Sequence, residues 1–72
     1  MGFIRYVSTG RKAPPVKIMA SINNGLFWQN KVLLPGQSFS IPPKCTNLVV
    51  DNIPYDPKQS YTIRNGNMII NN

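Results

Sequence analysis

Apolar and polar side chains alternate along most of this chain of 72 residues, and that spacing is typical of β-strands rather than of helices. Prolines and Asn-Gly or Pro-Gly pairs interrupt the alternation at short intervals, where they favour turns. We therefore predict strands over residues 3–7, 15–22, 26–34, 37–41, 46–53, 60–64 and 67–71. Short strands between turns predict an all-β fold, a small antiparallel sandwich or barrel of about six or seven strands.

The turn at Asn65-Gly66 indicates the register of the last two strands. Asn-Gly suits a two-residue type I′ hairpin, because both central residues of that turn need a positive φ. Counting back from the turn gives two apolar cross-strand pairs on one face, Ile63 with Met68 and Tyr61 with Ile70. The turn residues and the apolar pairs therefore predict the same register.

The turn around Asn23, Asn24 and Gly25 admits two registers for the hairpin before it. A two-residue loop sets Ala20 opposite Gln29, whereas a three-residue loop sets Ala20 opposite Trp28. We predict the three-residue loop, with Gly25 in the left-handed position, because it pairs apolar with apolar residues. Further along, Pro35-Gly36 predicts a type II turn at a corner where the chain passes between sheets.

Strand parity then predicts two faces. The predicted core face comprises Val16, Ile18, Ala20, Ile22, Trp28, Val32, Phe39, Ile41, Leu48, Val50, Tyr61, Ile63, Met68 and Ile70. The opposite face also carries large apolar residues, interleaved with cations, and so short a chain cannot cover both faces. We predict a partner or oligomer surface on it, made of Lys17, Met19, Phe27, Lys31, Leu33, Arg64 and Ile69. The alternative is a β-bulge that turns Phe27 or Leu33 into the core.

The chain is small and basic, at 8.1 kDa with eight Lys or Arg against two acids, a net charge of +6 and a pI near 10.0. That length predicts a single domain over residues 1–72, in which residues 8–15 form an extended linker between the first and second strands. The charge favours an anionic partner, nucleic acid or an anionic membrane surface. The predicted anion-binding residues are Arg5, Arg11, Lys12 and Lys17. The alternative is that the charge serves solubility alone.

The composition leaves little for catalysis, since there is no His, no Glu, one cysteine, Cys45, and two carboxylates, Asp51 and Asp56. Acid–base and nucleophilic mechanisms need a positioned His or a carboxylate pair, so we expect no enzyme and no small-molecule substrate. Structural zinc needs four Cys or His ligands, so we expect no metal or other cofactor. One cysteine allows no internal disulfide, and we see no signal peptide or membrane span, which leaves the compartment unknown.

Three functions fit these residues. The leading one is a non-enzymatic assembly or binding module that buries a mixed apolar and basic face against identical subunits or a protein partner. The C-terminal strand, residues 67–71, has neither Pro nor charge and is a candidate for pairing with a neighbouring chain. The alternatives are a toxin-like, membrane-active protein that binds anionic lipid, and a small β-barrel that binds nucleic acid.

Overall fold

The computed structural model describes residues 2–7 and 13–71, which form eight short strands in two four-stranded sheets. The strands are β1 (Phe3–Tyr6), β2 (Val16–Ile22), β3 (Phe27–Leu33), β4 (Ser38–Ser40), β5 (Asn47–Val50), β6 (Ile53–Tyr55), β7 (Ser60–Arg64) and β8 (Asn67–Asn71). The predicted all-β class is confirmed, with one strand more than the six or seven predicted. The two sheets do not close into a barrel.

The first sheet has the strand order β4-β1-β7-β8. The N-terminal strand β1 lies inside it and pairs antiparallel with β4 but parallel with β7. The expectation of a wholly antiparallel fold is therefore wrong at one pair. Parallel neighbours need a crossover connection, and here the chain supplies one by building the second sheet between β1 and β7.

The second sheet has the order β3-β2-β5-β6, so that β3 and β6 are its edge strands. Residues 46–53, predicted as one strand, divide into β5 and β6 at a turn where Asp51 and Asn52 have φ of 48° and 67°. Asp and Asn tolerate this left-handed conformation better than most residues, and the turn therefore forms without glycine. Pro54 lies in β6, an edge strand that tolerates its missing N–H.

A single core lies between the sheets and draws on both. Its buried apolar side chains are Ile4, Tyr6, Val16, Ile18, Ala20, Leu33, Phe39, Ile41, Leu48, Val50, Tyr61 and Ile63. Nine of these were predicted from parity; Ile4, Tyr6 and Leu33 were not. Three residues predicted in the core, Trp28, Val32 and Ile70, are about half exposed instead.

The β7–β8 hairpin has the predicted register. Tyr61 lies opposite Ile70 and Ile63 opposite Met68, and the turn residues Asn65 and Gly66 both have positive φ. The turn at Pro35-Gly36 is also confirmed as a corner between sheets, because it leads from β3 in the second sheet to β4 in the first.

The β2–β3 hairpin differs from its prediction by one position. Ala20 lies opposite Gln29, and Ile22 opposite Phe27, so residues 23–26 form the connection. This connection is one residue longer than the predicted three-residue turn, and three of its residues, Asn23, Asn24 and Gly25, have positive φ.

This shift exchanges the two faces of β3, because side chains alternate along a strand. Leu33, predicted on the partner surface, is instead fully buried in the core opposite Val16. Trp28 and Val32 turn away from the core.

Candidate interaction surface

Exposed apolar side chains are concentrated in one segment of the chain. Of the eight large hydrophobic residues exposed in the described part, five fall within residues 26–34, here called the edge segment. They are Leu26, Phe27, Trp28, Val32 and Leu34, with 71%, 58%, 45%, 55% and 46% of their surfaces exposed. A cluster of this kind on a small protein marks an interaction surface more often than scattered apolar residues do.

The position of β3 in the sheet explains this exposure. Among the described residues β3 pairs only with β2, and six of its seven residues are exposed. Lys31 lies opposite Ile18, yet Ile18 is fully buried and Lys31 is exposed. The edge strand therefore extends past the region that the first sheet covers.

Cations and apolar residues meet along this edge. The β2 residues Lys17 and Met19 lie opposite Val32 and Asn30 of β3. Together with Lys31 they line a shallow depression of about 190 Å³. Three predicted surface residues, Lys17, Met19 and Lys31, are thus brought together.

A second depression, of about 260 Å³, lies at the end of the hairpin. Phe27 and Trp28 line it together with Ile22 and Pro42. The loop beside it is held by Thr46, whose side-chain oxygen accepts a hydrogen bond of 2.9 Å from the N–H of Asn24. The predicted surface residue Phe27 therefore belongs to the same edge as the cations, at its apolar end.

Arg64 and Ile69 belong to a different surface. They lie in β7 and β8 of the first sheet, where Arg64 is opposite Asn67 and Ile69 opposite Thr62. The seven residues predicted as one partner surface are therefore divided: four lie at the β2–β3 edge, two on the first sheet, and Leu33 in the core.

The predicted anion-binding residues do not form one group either. Arg5 is exposed in β1 of the first sheet, with its guanidinium carbon 5.7 Å from the centre of the Phe3 ring. Lys17 is in the second sheet. Arg11 and Lys12 lie outside the described residues, as do residues 8–10 of the predicted linker.

Both carboxylates are occupied in turns. Asp51 accepts a hydrogen bond of 3.0 Å from the backbone N–H of Lys17, and Asp56 accepts one of 2.9 Å from that of Lys58. These bonds fix local backbone geometry, as Asp side chains commonly do in turns.

The hydroxyl of Tyr61 has a raised pKa. Burial raises its pKa above the usual 10.0, and the nearby charge of Asp56 adds to the rise. Its hydroxyl donates a hydrogen bond of 2.7 Å to the backbone oxygen of Asp56. The neutral phenol therefore joins β7 to the loop before it.

A cavity of about 480 Å³ lies at the opposite end of β2 from the hairpin loop, and the sequence pattern did not indicate it. Its walls are largely apolar and include Val16, Ile53, Ile63 and Met68, with Asp51 at the edge. Asp51 is the one carboxylate among the residues that line it.

Within the described residues, no helix is long and apolar enough to cross a membrane, and no three residues among His, Cys, Asp and Glu lie together. Comparison of the chain with protein-family models, curated proteins and solved structures finds no match.

Proposed function

We propose that this protein is a non-enzymatic assembly module that associates with identical copies through the edge segment. The observation that carries the proposal is the concentration of exposed apolar side chains on residues 26–34, along a strand that pairs on one side only within residues 2–7 and 13–71. We interpret the two sheets as a small open sandwich in which this edge is the part that lacks a covering layer.

The backbone supports the same conclusion as the side chains. An edge strand presents a row of unpaired N–H and C=O groups that can pair with another chain. Natural edge strands are commonly protected by proline, by shortness or by charge. The other edge of the sheet, β6, is three residues long and contains Pro54, whereas β3 has seven residues, no proline and one charge, Lys31.

The basic charge determines whether this association strengthens or weakens when salt is added. Two copies of net charge +6 repel each other, and added salt screens that repulsion. We therefore expect self-association to strengthen as salt rises. Binding to nucleic acid or to anionic lipid would weaken, because those contacts release bound counterions or depend on attraction.

Sedimentation velocity at micromolar concentration tests the proposal. We expect a mass above that of the monomer, and we expect Phe27→Asp to lower it, because a charge replaces an exposed apolar side chain of the interface. Ile69→Asp is the matched control, since Ile69 is 44% exposed but lies on the first sheet. A wild-type monomer at every concentration, or equal effects of the two variants, would refute the proposal.

Membrane binding is the second candidate, and one observation favours it. Trp28 is exposed beside Phe27 and Leu26, and Lys31 follows on the same strand. An exposed aromatic group on a strand that also carries a cation suits the interface of an anionic membrane. This candidate predicts a blue shift of Trp28 emission and dye leakage with anionic vesicles, and neither with neutral vesicles.

A further inference from the structure

We propose that β3 pairs antiparallel with β3 of a second copy, about a twofold axis at Asn30. The second sheets of the two copies then form one continuous sheet of eight strands. This inference rests on the proposed function and specifies the geometry of its interface.

The strand is self-complementary about its central residue. From Phe27 to Leu33 its seven residues are two apolar, three polar and two apolar. An antiparallel copy centred on Asn30 therefore sets apolar opposite apolar and polar opposite polar over the whole strand. Because the two copies are related by a twofold axis, every pair except the central one occurs twice.

On the outer face, Trp28 of each copy lies opposite Val32 of the other. Both are about half exposed in the single chain, at 45% and 55%, and so both have surface to bury. Pairs of an aromatic with a β-branched residue are among the favourable cross-strand combinations. The two Asn30 side chains meet between these pairs, where each amide can donate to the other.

On the inner face, Gln29 of each copy lies opposite Lys31 of the other. This arrangement keeps the two lysines out of direct opposition. Phe27 lies opposite Leu33, but Leu33 is already buried in its own core, so this pair contributes backbone hydrogen bonds more than new side-chain contact.

The neighbouring registers are worse. An axis at Lys31 sets two lysines directly opposite each other, which destabilises a strand pair. An axis at Gln29 sets Trp28 opposite Asn30 and Phe27 opposite Lys31. Registers centred between two residues do not have the twofold symmetry of a closed dimer, since they bring opposite faces of the strand together.

The area that this pairing covers indicates its strength. An aromatic side chain buries about 150–250 Å² when fully covered, so covering the exposed half of Trp28 in both copies removes roughly 200 Å². The remaining side chains and the two strand backbones, each about 20 Å long, add to this. We expect a total below the roughly 1,200 Å² at which stable specific interfaces begin, which corresponds to a weak dimer.

A pair of charge variants tests the register. Trp28→Lys and Val32→Glu each place a charge opposite an apolar residue in both halves of a homodimer. In a mixed dimer of the two, the introduced lysine faces the introduced glutamate in one half, and the other half keeps the native Trp28–Val32 pair. We expect each variant alone to dissociate at least tenfold more readily than wild type, and an equimolar mixture to recover most of that loss.

The control replaces the second partner by Phe27→Glu, whose charge lies on the other face and meets no introduced lysine. Sedimentation of the three variants and the two mixtures gives the dissociation constants, and circular dichroism verifies that each variant is folded. If the Trp28→Lys and Val32→Glu mixture gains nothing, or the control mixture gains as much, the register is wrong although the wild type still associates. If the wild type is monomeric throughout, the proposed function fails as well.

Two milder variants at Gln29 apply the same test with less risk to the fold, because this side chain is exposed. Gln29→Glu faces Lys31 of the partner and should tighten the dimer, whereas Gln29→Lys should loosen it. Cross-strand charge pairs contribute little each, and with two per dimer we expect changes of roughly two- to tenfold in opposite directions. Equal dissociation constants for the two variants would contradict this pairing.

Discussion

The two Asn-Gly hairpins of this protein have similar turn sequences, but their apolar side chains are buried to different extents. In the β7–β8 hairpin, Tyr61 and Ile63 are almost completely buried, and the register follows the apolar pairs. In the β2–β3 hairpin, the observed register leaves Trp28 and Val32 exposed, although a shift by one residue would have paired both with apolar residues of β2.

This difference shows when apolar pairing predicts register. Pairing is a guide where another layer covers the strand, as the second sheet covers β7, because burial then provides the stabilising free energy. On an uncovered edge this stabilising free energy is absent, and we expect the loop to determine the register. In the β2–β3 connection, three successive residues, Asn23 to Gly25, have positive φ. The apolar residues left exposed on β3 are then free for a partner.

The largest expected effect tests this contrast on two adjacent residues. Leu33→Ala should lower the free energy of unfolding by about 2–5 kcal/mol, because it leaves a cavity in the core. Val32→Ala should change it by less than about 0.5 kcal/mol in the dissociated monomer, because Val32 is exposed. Denaturant unfolding at low protein concentration measures both. If Val32→Ala lowered the free energy of unfolding more than Leu33→Ala did, the result would favour the register that apolar pairing alone predicts.

A smaller effect is expected at Tyr61, an aromatic residue that is buried in its hairpin whereas Trp28 is exposed in the other. Tyr61→Phe removes the hydrogen bond to the backbone oxygen of Asp56 and should cost about 1 kcal/mol at neutral pH.

The same variant also tests how the contribution of Tyr61 to stability depends on pH. Because the pKa of Tyr61 is higher in the folded state, the neutral phenol stabilises the fold below about pH 10, and this contribution is lost as pH rises through the folded-state pKa. The wild type should therefore lose more stability than Tyr61→Phe between about pH 8 and pH 11. Parallel pH profiles in denaturant unfolding would show that Tyr61 does not titrate with unfolding.

The sequence predicted those features whose cause is local. The Asn65-Gly66 turn and the corner at Pro35-Gly36 follow from backbone preferences of the residues themselves. The turn at Asp51-Asn52 was missed because neither residue is glycine or proline and apolar residues flank the pair on both sides. The parallel pairing of β1 with β7 joins residues almost sixty positions apart, and a local sequence pattern cannot predict so distant a pairing.

The candidate surface was predicted in part for the same reason. Lys17, Met19, Phe27 and Lys31 were placed on a partner surface and do lie at one edge of the second sheet. Leu33 was misplaced by the one-residue shift, and Trp28 and Val32 were missed by it. Arg64 and Ile69 were grouped with them because parity within a strand does not indicate which sheet the strand joins.

Amide hydrogen exchange at several protein concentrations tests the central claim most directly, since it compares the two exposed edges β3 and β8 within one molecule. In an edge strand, the N–H groups that point away from the neighbouring strand lack a partner and exchange quickly. We predict that alternate amides of β3 become protected as concentration rises, while those of β8 do not change. Protection confined to β8, or none in either strand at any concentration, would contradict the account.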